Sequence, residues 1–454
     1  GNRPDTEAVF DPGTYEAGVP FGALARLRRE RGVAWVPEIP VLGWPEGPGF
    51  WLVLRHSDVE SVMTRPGLFS SALGATQIRD PSSPEALGYV RQMMLNMDPP
   101  EHARLRRLLS KSFTPRAVAR LEDQIRAHAR TICGRVFGAP GTGTAARTGE
   151  CDFAKDIAAD LPLLTLADIL GVPAEDRWLL FDWSNRVIGY QDPDYATSAE
   201  FDPDGGTAMA AEAVSQRPKP DPATGRMPDP RTREGMPDLY AYAHLLAEHK
   251  RRHPGDDVMS ILLAQRDDED GTGTGGSVSI EEFENMFWLF AVAGNETVRN
   301  GLPGGCIALL EHPREASALR DDPALLRTSV DEMLRWWTPV MTFRRTATAD
   351  CVIGNQPVRA GDKVVVSFTS ANRDESVFAD PDRLDLGRQL NPHLVFGHGP
   401  HFCLGAYLAR TQMRALFADV LSRTEELRYA GAPSYLRSNF QRGVKSLPVA
   451  WTAR

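Results

Sequence analysis

Apolar residues recur at helical spacing through most of the stretch from about Glu101 to Leu310, broken by Gly-, Pro- and Asp-rich loops such as Gly138 to Gly149. The middle of the chain is therefore expected to be a helical body. Strand and helix alternate only once, early on. Gly49-Phe50-Trp51-Leu52-Val53-Leu54 reads as a strand, and Ser57-Asp58-Val59-Glu60 as a capping box opening a helix. A second capping box, Ser279-Ile280-Glu281-Glu282, opens a long apolar helix through Phe283, Phe287, Phe290 and Ala291. A further helix starting near Pro323 carries Ser329 to Trp337 and stops before Pro339. Strand patterns then take over at Cys351-Val352-Ile353, a Gly354-Asn355 turn, and Lys363 to Phe368. The expected fold class is mainly α with small β-sheets.

With 42% hydrophobic and 24% charged residues, the 454-residue chain has globular composition, and it is expected to form a single domain over 1–454. A long Pro- and Gly-rich loop insertion at about 192–237 is expected to be a disordered surface segment or a mobile lid. Asp267 to Gly276 reads as a solvated connector. The net charge of -9 argues against a nucleic-acid partner. Cys133, Cys151, Cys306, Cys351 and Cys403 are scattered and lack any CxxC, which fits a reduced, cytoplasmic setting. No stretch approaches the eighteen or so apolar residues of a membrane span, so no anchor or signal peptide is expected.

The strongest local signal is Phe396-Gly397-His398-Gly399-Pro400-His401-Phe402-Cys403-Leu404-Gly405, a glycine-rich loop delivering one cysteine to the start of an amphipathic helix. Free N–H groups at a helix start favour a thiolate. Gly399 and Gly405 lack Cβ bulk, so the backbone there can approach a flat macrocycle. Upstream, Ala293-Gly294-Asn295-Glu296-Thr297 interrupts an apolar helix with poor helix formers, which predicts a kink. Pro303, Gly304 and Gly305 suggest a second bend. Glu332 and Arg335 lie three apart on one helix face, and His102 and Arg106 lie one turn apart, able to face one anionic partner.

The Phe396-Gly397-x-Gly399-x-His401-x-Cys403-x-Gly405 pattern resembles the haem-binding signature of cytochromes P450. The landmarks from His102 through Thr297, Glu332 and Arg345 to Cys403 run in that family's order. The resemblance implies the P450 fold, a triangular prism with haem b between long helices. It implies Cys403 as the axial thiolate ligand of the iron, whose charge donation favours oxygen activation. Phe396 would pack beside the ligand, with Gly397 and Gly405 shaping the loop. His401, His102, Arg106 and Arg345 would hold the propionates, with Arg344 competing with Arg345. Gly294 would open a groove for O2, the co-substrate, and Glu296 and Thr297 would be the catalytic acid and alcohol that deliver protons. Glu332 and Arg335 would form a buried structural network completed by a second arginine, placed at Arg383.

The implied reaction inserts one oxygen atom from O2 into a C–H bond, by hydroxylation or epoxidation. The substrate would be a hydrophobic small molecule such as a terpenoid, a steroid or a natural-product intermediate of secondary metabolism, free or on a carrier protein. Because no flavin or iron–sulfur segment is evident, electrons would come from a ferredoxin and ferredoxin reductase. Arg104, Arg107 and Lys111 on one helix, with Arg410 and Arg414 on another, would form a basic docking patch. A peroxide-driven haem oxygenating enzyme, a non-catalytic haem ligand sensor and a cysteine hydrolase are the rival readings.

Overall fold

The computed structural model describes residues 3–41, 44–138, 148–191, 205–265 and 277–454. Five strands, β1 (Val33–Val36), β2 (Phe50–Val53), β3 (Phe69–Ser70), β4 (Thr342–Ala347) and β5 (Lys363–Ser367), form one sheet in the order β1-β2-β5-β4-β3. Only the β2/β5 pair is parallel. All five residues of β5 are buried, which is what a run of valines between two neighbouring strands requires. A second, three-stranded sheet joins Thr148–Asp152, Pro448–Ala453 and Thr424–Tyr429.

The helices that matter for the site are α1 (Glu101–Ser112), α2 (Pro115–Phe137), α3 (Trp178–Gln191), α4 (Ala208–Val214), α5 (Pro237–Arg252), α6 (Ile280–Ala293), α7 (Glu296–Glu311), α8 (Leu326–Trp337) and α9 (Ala406–Arg423). Their apolar stripes meet in one continuous core, to which α2 contributes Leu121, Ile125 and Ile132, α7 contributes Leu302 and Ile307, and α9 contributes Met413, Leu416 and Phe417. Each such side chain fully withdrawn from water contributes roughly 1.5–3 kcal/mol. The Ser279 capping box forms as the pattern predicts.

Four local expectations change. The Ser57-to-Glu60 pattern is not a capping box: the helix His56–Met63 has Arg55 at its N-cap, and the His56 N–H is taken by Asp374 Oδ2 at 2.9 Å. Pro303 lies inside α7, which continues to Glu311. The glycines after it serve close packing, since a Cβ on Gly304 would lie 2.2 Å from the Trp337 ring and one on Gly305 2.8 Å from the Phe417 ring. The helix predicted from Pro323 is a 3-10 turn, Pro323–Leu325, followed by α8. Residues 192–204 of the predicted loop lie outside the described residues, while 205–237 carry α4. This part is anchored, because buried Asp176 accepts hydrogen bonds from the Thr207 N–H and hydroxyl at 2.7 Å each and from the Tyr242 hydroxyl at 2.8 Å. Among the described residues no helix is long and apolar enough to cross a membrane.

Candidate active site

The cysteine loop is shaped by its own backbone. Gly397 and Gly399 adopt φ of +77° and +75°, and a Cβ on Gly399 would lie 2.3 Å from the Met63 carbonyl oxygen. The Phe402 N–H donates to the Gly399 carbonyl at 3.0 Å and the Cys403 N–H to that of Phe396 at 2.8 Å, so the loop closes on itself just before α9. Gly405 precedes the first residue of α9. The Cys403 side chain is accessible, yet desolvation is the largest influence on it. Burial pushes the thiol up; the Gly405 N–H and the guanidinium groups of Arg106 and Arg410 pull it back.

Four basic side chains converge beside this loop. His102, buried in the first turn of α1, stacks on His401 with ring centroids 3.9 Å apart. Arg106, one turn further on, donates to the Phe402 carbonyl at 2.5 Å. Arg345, buried on β4, donates to the Arg344 carbonyl at 2.9 Å, whereas the Arg344 side chain is bound to Asp80 at 2.5 Å. Arg344 is thus spent elsewhere, and Arg345 is the member of the cluster. Burial, then Arg106 and Arg345, push His102 down to about 4; burial, then Arg345 and His102, push His401 down to about 3. Burial lowers Arg345 to about 10, opposed by Asp98. Such a cluster is short of negative charge. A buried dianion with two carboxylates would supply it, so the residues present fit the haem propionates.

The predicted kink is present: α6 ends at Ala293 and α7 begins at Glu296, with exposed Gly294 between them. Glu296 and Thr297 are half-buried, and among the described residues no hydrogen bond joins their side chains. Instead the Glu296 carboxylate accepts from Gln441 Nε2, and Gln441 Oε1 accepts from Asn300 Nδ2 at 3.0 Å. Burial raises the Glu296 pKa, opposed by Arg231, the Gln441 hydrogen bond and Arg299. Gln441 lies 145 residues along the chain from Glu296, and no pattern in the sequence marks it.

Below the loop, Glu332 and Arg335 are fully buried and joined by two bonds of 2.6 and 3.0 Å. The second arginine is Arg388, whose Nε lies 3.1 Å from Glu332 Oε2, and not Arg383. Arg383 is exposed and contributes its carbonyl oxygen, which accepts from Arg335 at 3.1 Å. The basic stripe is also reduced: Arg104 pairs with Glu282 at 2.6 Å and Arg410 with Asp331 at 2.8 Å, the latter lying 4.8 Å over the Phe396 ring. Lys111 is exposed, and Arg107 and Arg414 are half-buried.

An accessible thiol on a glycine loop beside a cationic cluster, in a chain that also breaks a long helix at an acid and an alcohol, is the arrangement of a haem-thiolate protein. Residues 242–426 match the family described as Cytochrome P450. A steroid C26-monooxygenase of Rhodococcus jostii (strain RHA1) is 34% identical over 99% of this chain and 85% of its own length. A methyl-branched lipid omega-hydroxylase of Mycobacterium tuberculosis (strain ATCC 25618 / H37Rv) is 36% identical over 95% of this chain and 91% of its own. A Mycobacterium marinum cytochrome P450 in complex with pseudoionone superposes with a TM-score of 0.74 at 36% identity, covering 94% of each chain. The chain belongs to the cytochrome P450 family and has its mainly helical fold with small sheets. It is a monooxygenase that uses haem b on a cysteine thiolate, with O2 as co-substrate.

Proposed function

We propose that this monooxygenase hydroxylates a C–H bond of a steroid-, terpenoid- or methyl-branched-lipid-like molecule, with Cys403 as the haem ligand and a ferredoxin as electron donor. The observation that carries the site reading is the convergence of His102, Arg106, Arg345 and His401 beside the accessible Cys403. Bound there, haem supplies the centre at which O2 is reduced and one of its atoms inserted into the substrate.

The chain's own residues do the rest. The Cys403 thiolate would hold the haem iron, and the Gly405 N–H and nearby Arg106 and Arg410 stabilise its negative charge. Phe396, buried beneath Arg410, excludes water on the ligand side. Gly294 leaves the helix break open, so O2 and water can reach it. The Thr297 hydroxyl holds a water or a proton at that break. Glu296, kept closer to neutral by burial, releases a proton toward the cavity and takes one back from solvent. The single domain, with the anchored 205–237 segment as part of its roof, would enclose the substrate.

The substrate class is supported by the activities for which the two relatives are named and by the ligand of the structural neighbour. Apolar side chains on the flanking segments agree: Tyr89 meets Trp288 edge-on at 6.0 Å, and Met94, Met97, Leu289 and Phe290 pack partly buried against the helical core. A spectral titration of the haem-loaded protein against steroids, terpenoids and branched fatty acids tests this reading. Binding confined to polar compounds would overturn it. The donor reading rests on exposed Lys111 and half-buried Arg414, and predicts that ferredoxin-dependent reduction slows as ionic strength rises.

A further inference from the structure

We infer that Gln441 is a positioning residue for Glu296, supported at the other end of its amide by Asn300. The inference rests on the reading of Glu296 as a proton-delivering group. Gln441 and Asn300 are buried, at 9% and 1% exposure. The backbone around Gln441 is pinned: its N–H donates to Ser438 Oγ at 3.0 Å, and it bridges to Val340. On either side, Phe440 accepts from the Met341 N–H and the Arg442 N–H donates to Pro339, at 2.8 Å each. A side chain on so fixed a backbone has little freedom except to turn its amide end over.

An ionised Glu296 can only accept, so Gln441 Nε2 faces it and Gln441 Oε1 is left to accept from Asn300 Nδ2 at 3.0 Å. The result is a directed chain of donors, Asn300 to Gln441 to Glu296. The last donor favours the ionised acid, with Arg231 and Arg299 acting in the same sense, while burial favours the neutral form. Gln441 itself never ionises. It holds the carboxylate in place after the proton has left toward the cavity, until another arrives from water. Without it the acid would keep its proton to higher pH and lose its fixed direction.

The test uses the haem-loaded, full-length protein. The infrared carboxyl band of Glu296, identified by its loss in Glu296→Gln, is titrated in the wild type, in Gln441→Met and in Gln441→Glu. Both substitutions are close to Gln in size; Met removes the donor toward Glu296 and Glu replaces the neutral amide donor by a second acid. The expected result in Gln441→Met is an upward shift of the midpoint by about one pH unit, with the haem spectrum unchanged. The pH at which product formed per reductant consumed is halved should move the same way. Gln441→Glu forces two acids to share a proton and should raise the midpoint further. An unchanged midpoint in Gln441→Met overturns the inference. Should that variant fail to take up haem, an unchanged midpoint in Gln441→Glu overturns it equally. If Glu296→Gln leaves coupling and its pH profile intact, the proton-delivery reading fails, while the infrared titration still decides whether Gln441 governs the acid.

Discussion

Replacing Arg388 by Met should destabilise the protein severely, while replacing Arg383 by Ala should hardly matter. Arg388 donates to Glu332 Oε2 at 3.1 Å and to the carbonyls of Ala379, Asp380 and Arg383 at 2.8, 3.3 and 3.3 Å. Met would fill the space but leave a fully buried carboxylate with one charge partner fewer and three carbonyls without this donor. One charge-assisted bond is worth roughly 1.5–3 kcal/mol and each neutral one about 1 kcal/mol, so a loss of about 4.5–6 kcal/mol is expected if none of the carbonyls finds another donor. The Arg383 side chain is exposed and only its backbone oxygen serves the network, which Arg383→Ala preserves, so the cost there should stay within about 0.5 kcal/mol. The assay is the urea midpoint of the haem-loaded protein, with haem retention as a second readout. If Arg383→Ala proved as damaging as Arg388→Met, or if Arg388→Met were silent, the assignment of the second arginine would be wrong.

Cys403→Ser should abolish the thiolate form of the carbon monoxide difference spectrum and with it the activity, because a hydroxyl is far less acidic than a thiol. Persistence of that spectrum would place the ligand on another cysteine. Thr297→Ala should bind haem and substrate normally but release more hydrogen peroxide per reductant consumed; equal coupling would remove Thr297 from proton delivery. In the haem-free protein, His102 is neutral when folded, with its pKa pushed from 6.5 down to about 4. Unfolding therefore takes up a proton between these values, so His102's contribution is complete above about pH 6.5 and is lost as pH falls toward 4, at up to about 1.4 kcal/mol per pH unit. Urea midpoints from about pH 7.5 to 4.5 should therefore fall less steeply in His102→Gln than in the wild type, and parallel slopes would contradict the cluster electrostatics.

The parts of the site that were legible in the sequence are those the chain's own backbone encodes. A glycine-rich loop just ahead of an amphipathic helix can be read without knowing what packs on it, and Gly397 and Gly399 there take positive φ. The same holds for the poor helix formers at Gly294 to Thr297 and for the capping box at Ser279. What failed depends on which side chain arrives from far along the chain. Ser57 has no capping role because the helix starts one residue earlier, at His56, whose N–H is bound by Asp374, 318 residues from His56. Arg383 and Arg388 share one irregular segment, where no period tells which side chain turns inward; the fold turns Arg383 out and uses its carbonyl. The charges on α1 and α9 were visible as a stripe, but Glu282 and Asp331 claim two of them from other helices. Gly304 and Gly305 show the limit most sharply. As local signals they mean a bend, yet the rings of Trp337 and Phe417 occupy the space their side chains would need. They let α8 and α9 pack close against the helix that begins with Glu296 and Thr297, so residues that read as a local irregularity belong to the support of the site.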